Sequence, residues 1–288
     1  MMNLIVETDI GHDPDDFFSI CYLIAAGVNV RAICISPGDP DQVAIAKLIL
    51  KQIGLDIPVG VSHENRNKLS SGSIHHELLK KYGMKLTENP DGMGYQIIED
   101  TIKKYPDCEF LVIGPATNVG KFLKDKQDIC FESATMQGGF LPYSLYKPFF
   151  VCPNFEGKEW MPTFNLNGDR PAGSLFLSSK FKSRRMVGKN ICHTILFDKE
   201  KLNDIKPRCT ASLLFKEAAE MYFLKHDSKK FHDPTAACLH LHPEIGLWFK
   251  GKTIKNSSGW TTVADYQGDD ILADLDEETL WDFLLNFK

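Results

Sequence analysis

The sequence predicts an α/β fold: a single large domain over residues 1–288, with a mostly parallel, doubly wound central sheet carrying helices on both faces. Two observations predict it. Short apolar runs alternate with longer helical ones through roughly the first 130 residues, the rhythm of strand–helix–strand crossovers. No internal repeat, low-complexity tract or linker interrupts the chain, which favours one domain.

The elements follow in order. Leu4-Ile5-Val6 reads as a buried strand, and Phe17 to Ala26 as a helix stopped by Gly27. Asn29 to Ser36 is a second strand. Asp41 to Ile53 is helical, with Gly54 as its stop. Ile57 to Val61 is a third, short strand; Tyr95 to Lys104 is helical; Glu109 to Ile113 and Ala134 to Met136 are further strands. The stretch 140–162 is rich in aromatics and prolines without a clear period, the mark of a long active-site loop or an insertion. Beyond it Asp169 to Leu177, Cys209 to Lys225 and Leu275 to Leu285 read as helices.

Composition narrows the function. The 288 residues are 43% hydrophobic and 25% charged, with a net charge of −5. No basic excess draws the chain to nucleic acid. No stretch approaches the roughly 20 apolar residues of a membrane helix, and the N-terminal residues do not read as a secretory signal. The eight cysteines are widely spaced, with no CxxC pair. That pattern speaks for reduced thiols and a cytoplasmic protein.

Chemistry concentrates in Glu7-Thr8-Asp9-Ile10-Gly11-His12-Asp13-Pro14-Asp15-Asp16, where five carboxylates occupy ten residues between an apolar strand and an apolar helix. In a parallel sheet the loop leaving a strand's carboxyl end lies at the ligand-binding edge. Carboxylates packed this closely repel, and a cation relieves them; oxygen-only ligands select Ca²⁺ or Mg²⁺ over zinc. The spacing matches neither an EF-hand nor a phosphate-binding P-loop. The plainer reading is that Asp13 to Asp16 cap the following helix, but a cap needs only one side chain.

These residues resemble the N-terminal signature of the inosine–uridine-preferring nucleoside hydrolases, a strand followed by DTDxGxDD, in its longer form, with Glu7 in place of the first aspartate. Further segments resemble the family's motifs in order: Gly114-Pro115-Ala116-Thr117-Asn118, Gln137-Gly138-Gly139, Phe164-Asn165 with Asp169, Phe231-His232-Asp233-Pro234-Thr235-Ala236-Ala237, and Gly259-Trp260-Thr261-Thr262-Val263. The resemblance implies one Ca²⁺ held by Asp9, Asp16, Asp233 and the carbonyl of Ile113. It implies that Asp9 orients a calcium-bound water and takes its proton, and that Asp15 and Asn165 hold the ribose hydroxyls. His232 stands where some members keep the acid that protonates the leaving base; orienting the adjacent ligand Asp233 is the other role open to it.

The sequence departs from the family at the substrate. Thr163 replaces a glutamate that contacts the sugar's 5′ end. Asp39 stands where an asparagine is expected, although an aspartate before proline is also a common turn former. His75, in Ile74-His75-His76-Glu77, is a substrate-contact candidate or simply a solvated loop histidine. Tyr143, Tyr146, Phe149, Phe150, Phe155 and Trp160 would either stack on a base or form a subunit interface. The expected function is hydrolysis of the N-glycosidic bond of a ribonucleoside, in purine or pyrimidine salvage, by a cytoplasmic homodimer or homotetramer. The rivals are a catalytically inactive ribosyl- or calcium-binding relative serving as sensor or scaffold, and a Mg²⁺-dependent phosphohydrolase.

Overall fold

The computed structural model describes residues 2–147 and 152–288. Its core is a ten-stranded sheet built as the chain runs. β1 (Asn3–Thr8) leads through α1 (Pro14–Ala25) to β2 (Asn29–Ile35), and through α2 (Pro40–Ile53) to β3 (Val59–Val61). Then come α3 (Ser73–Lys81), the two-residue β4 (Gly92–Met93), α4 (Gly94–Lys104) and β5 (Glu109–Val112). α5 (Thr117–Leu123) precedes β6 (Cys130–Gln137). The short α6 (Tyr143–Tyr146), α7 (Phe164–Gly168) and α8 (Arg170–Ser178) lead to β7 (Lys180–Val187). After α9 (Lys189–Cys192), β8 (Leu196–Asp198) pairs antiparallel with β9 (Ser228–Lys230) across α10 (Lys199–Asp204) and α11 (Thr210–Phe223). The chain closes with α12 (Asp233–Leu241), β10 (Gly246–Asn256), β11 (Gly259–Ala264), β12 (Asp269–Leu275) and α13 (Glu277–Asn286).

The sheet order is β11-β10-β12-β7-β6-β5-β1-β2-β3-β4. From β12 to β4 every pairing is parallel; β10 runs antiparallel to both its neighbours. Alternate strand residues enter two cores. Leu4, Val6, Ile33, Ile35 and Leu111 meet helices α1, α2, α11, α12 and α13 on one face. Ile5, Ala32, Cys34, Phe110 and Val112 meet α4, α5 and α8 on the other. Burial on both faces is why these strands are apolar without alternation.

The order reverses at β1 and β5. From β1 the chain winds toward β4, and from β5 it winds toward β7. α1 lies on one face and α5 on the other, so the loops leave the two strand ends in opposite directions, and a crevice opens between them.

Several elements depart from the sequence expectation. α1 starts at Pro14, three residues early, because Asp13 is its N-cap and proline suits the first turn. β6 is longer than Ala134 to Met136. β7 carries five Lys, Arg or Ser side chains among eight residues and has no apolar run to announce it. The stretch 140–162 is partly core: Phe140, Leu141, Tyr146, Cys152 and Phe155 are buried. Phe149 and Phe150 fall outside the described residues.

Candidate active site

The crevice widens into a cavity of about 510 Å³. Of the residues expected at the site, Asp9, Asp15, Asp16, Ile113, Thr163, Asn165, His232 and Asp233 all line it. Asp39 and His75 do not. Asp39 is buried at the start of α2 and receives the Arg66 guanidinium, which is the turn-and-cap role. His75 is buried against the Phe17 ring, with neither ring nitrogen hydrogen-bonded, and burial, then His76, pushes it down to about 4. It is neither solvated nor part of the cavity wall.

The acidic loop is held in place from several sides. Thr8 Oγ1 donates to Asp16 Oδ1, and the Asp9 amide donates to the same oxygen at 3.3 Å. Asp13 Oδ1 accepts from the Asp15 amide at 3.3 Å, so one of the five acids is indeed a cap. Gln42 Nε2 donates to the Asp9 carbonyl at 3.2 Å. Gly11 turns the loop with a φ of 117°, where a side chain would be strained. Gly114 lets β5 approach β1: an added Cβ would lie 2.5 Å from the Asp9 nitrogen.

Glu7 points away from the cavity. It is buried and accepts from Ser36 Oγ at 2.7 Å, the amides of Asn118 and Val119 at 3.1 and 3.2 Å, and Asn118 Nδ2 at 3.0 Å. Burial outweighs these donors and pushes its carboxyl up to about 8.

Three carboxylates crowd the cavity floor. Burial, with Asp13 and Asp15 adding, pushes Asp9 up to about 7. Burial and then the Asp9 charge raise Asp16; burial and then Asp16, Asp15 and Asp9 raise Asp233. These are groups that favour a compensating cation. Asp15 Oδ1 is buried without a hydrogen-bond partner, and the Ile113 carbonyl faces Asn165 Nδ2 at 3.0 Å. An all-oxygen donor set of this kind fits a hard divalent cation. Among the described residues no three His, Cys, Asp or Glu side chains already converge as ligands, so holding an ion requires the carboxylates to turn toward one point.

Sequence reasoning missed four residues. Lys229, 7% exposed, contacts Asp13 Oδ1 at 3.0 Å and Asp15 Oδ2 at 3.1 Å. Burial alone would lower its ammonium; the two aspartates outweigh burial and raise it. Phe164 stands at the cavity rim, 69% exposed. Lys189 and His193 form part of the wall. His193 packs edge-on against His232, ring centroids 5.2 Å apart, and against Phe155 at 4.8 Å. His232 turns Nδ1 toward Asp15 Oδ2 at 3.4 Å, and its amide donates to that oxygen at 3.2 Å. Phe164 stood within the Phe164-Asn165 segment already singled out, and for Lys229 the signal was the Lys229-Lys230 pair just before Phe231-His232-Asp233.

Comparisons with known proteins bear on the fold and the family. A relative from Aquifex aeolicus (strain VF5), described as an uncharacterized protein, is 24% identical over 256 residues, covering 86% of this chain and 84% of its own. A plant nucleoside hydrolase structure superposes with a TM-score of 0.73 at 17% identity, covering 99% of this chain and 98% of its own. A purine-preferring ribonucleoside hydrolase from Gardnerella vaginalis gives 0.69 at 17% identity over 99% and 97%. An inosine-uridine preferring nucleoside hydrolase from Bacillus anthracis gives 0.70 at 11% over 99% and 98%. At these identities the superpositions speak for the fold. The sequence profile described as inosine-uridine preferring nucleoside hydrolase matches residues 4–282, nearly the whole chain, and the protein therefore belongs to that family of N-ribohydrolases.

Proposed function

We propose that this cavity hydrolyses the N-glycosidic bond of a ribonucleoside, releasing free base and ribose, with Ca²⁺ as its resident ion. The observation that carries the reading is the meeting of Asp9, Asp16 and Asp233, from distant parts of the chain, on one cavity floor at the reversal of strand order. When bound between Asp9, Asp16, Asp233 and the Ile113 carbonyl, the ion supplies a Lewis acid that orients water and makes it more acidic.

The side chains divide the remaining work. Asp9, on the cavity floor beside the water that the ion would orient, is placed to accept that water's proton. The carboxylates also stabilise positive charge as the ribosyl carbon approaches an oxocarbenium ion. Asp15 Oδ1, buried and without a partner, receives a ribose hydroxyl, and Asn165 receives another. His232, with Nδ1 toward Asp15, keeps Nε2 for protonating the departing base. Phe164 at the rim offers a face for the base to stack on. Homodimer or homotetramer assembly and a cytoplasmic setting complete the reading; sedimentation of the purified chain tests the first. Among the described residues no helix is long and apolar enough to cross a membrane.

The test is a panel of purine, pyrimidine and modified nucleosides incubated with the Ca²⁺-loaded protein, with free base read by chromatography. Release that disappears in Asp9→Ala, while the thermal transition persists, is the expected result. No release from any member of the panel would favour the ligand-binding, inactive relative.

A further inference from the structure

The cavity is two-signed. Besides its acidic residues the lining carries Lys189 and His193, and Lys230 stands against His193. α9 places Lys189 on the lining, and His193 follows its last residue. Lys230, from β9, comes within 3.2 Å of His193 Nδ1 through its Nζ. Its neighbour Lys229 is held by Asp13 and Asp15. Lys189 and Lys230 have no ion pair among the described residues. Lys189 Nζ makes a long hydrogen bond of 3.4 Å to the Pro162 carbonyl and stands 5.8 Å from the centroid of the Phe155 ring. Burial, then the Lys230 charge, lowers the Lys189 ammonium. His193 is held neutral, its value pushed down to about 3 by burial and then by Lys230.

A second feature points the same way. Thr163 follows Pro162, is 3% exposed, and lines this cavity. Its Oγ1 is buried with no hydrogen-bond partner. An unsatisfied hydroxyl on a cavity wall shared with an ammonium that has no acidic partner is an arrangement that an anion completes. It accepts the hydroxyl's hydrogen bond and removes the repulsion between the two cations.

We propose that the substrate carries an anionic group, a phosphate or a carboxylate, which Lys189 neutralises, with Lys230 adding positive charge beside His193, and which the Thr163 hydroxyl hydrogen-bonds. The proposal rests on the ribonucleoside reading and narrows it. The candidates are a nucleoside phosphorylated on its sugar or one whose base bears a carboxylate.

Matched pairs test it, by binding and by turnover. Isothermal titration calorimetry in Ca²⁺ compares ribose with ribose 5-phosphate, and uridine with uridine 5′-monophosphate and with orotidine. An anionic member should bind about tenfold or more tightly than its neutral counterpart, the scale of a charge-assisted hydrogen bond in a partly buried site. Lys189→Met should narrow that ratio, and Lys189→Arg should keep it. Preference for the 5′-phosphates assigns the anion to the sugar, and preference for orotidine assigns it to the base. Equal or tighter binding of the neutral members overturns the proposal, as does a preference that survives Lys189→Met. Turnover separates this failure from that of the parent reading. Base release from neutral nucleosides without anion preference sinks the proposal alone. Anion preference without base release from any compound sinks the hydrolase reading and leaves anion recognition standing.

Discussion

Replacing Lys229 by Met would take a buried ammonium away from the acidic loop while nearly preserving its volume. Two contacts are lost, at 3.0 Å to Asp13 and 3.1 Å to Asp15. The Asp13 side chain is 52% exposed, so its pair is screened and contributes under about 1 kcal/mol. Asp15 is 4% exposed and would be left near Asp9, Asp16 and Asp233 with the His232 amide and ring but without the ammonium. Removing one partner of a buried pair costs about 3–5 kcal/mol. For a chain of this size that corresponds to a fall in Tm of roughly 5–8 °C. The Lys229 value is raised from 10.5. Its stabilisation is therefore fully present below the ordinary lysine value and fades only as pH rises through the folded one. The loss should thus be seen undiminished at about pH 7–9. Scanning fluorimetry in chelator, then in Ca²⁺, measures it, and the ion should shrink the loss by supplying the missing positive charge. A fall of less than about 2 °C in chelator, or an equal fall when Asp15→Asn is already present, would refute the reasoning.

Other expectations can be checked alongside. Asp9→Asn should lower base release by about 10²–10⁴-fold, the range of general-base catalysis, and should not lower Tm, because it relieves repulsion on the floor. Phe164→Ala should raise KM for the preferred nucleoside by about tenfold, one base stacked on an aromatic being worth ~1–3 kcal/mol, with kcat read separately from initial rates. Glu7 sits at about 8 when folded against an ordinary 4.5. Between those values the unfolded chain has lost a proton that the fold retains, so stability falls as pH rises. Glu7→Gln should therefore match the wild type near about pH 5 and exceed it at about pH 8 by up to several kcal/mol, compared by thermal melts at both. Gly114→Ala should destabilise strongly and abolish release, since its Cβ meets the Asp9 backbone at 2.5 Å; melts and the same chromatographic assay read both effects.

The sheet's centre was legible because β1, β2 and β5 are buried on both faces and so are written as apolar runs. Its flank was not. β7 alternates Lys, Ser and Arg with Phe and Met, and β10, exposed along much of its length, has no continuous apolar signal. Local chemistry carried the acidic loop, and the motif order carried Ile113, Asn165 and Asp233 to the same crevice. Asp39 and His75 were drawn in by position along the chain, yet one caps α2 and the other is enclosed behind the loop. The cations escaped notice for the converse reason. Nothing near Lys229 in sequence reveals that residues more than two hundred positions earlier meet it.

The cavity's walls are drawn from positions as far apart as Asp9 and Asp233, and this has a bearing on synthesis. While the chain emerges from the ribosome N-terminus first, its earliest carboxylates exist as an open, repelling strip on a half-built sheet. Neither Lys229 nor Asp233 is there to close them in. A nascent fragment ending before β9 should therefore retain neither the pocket nor any capacity to cleave. Competence would arrive late and all at once, with the segment from β9 into α12.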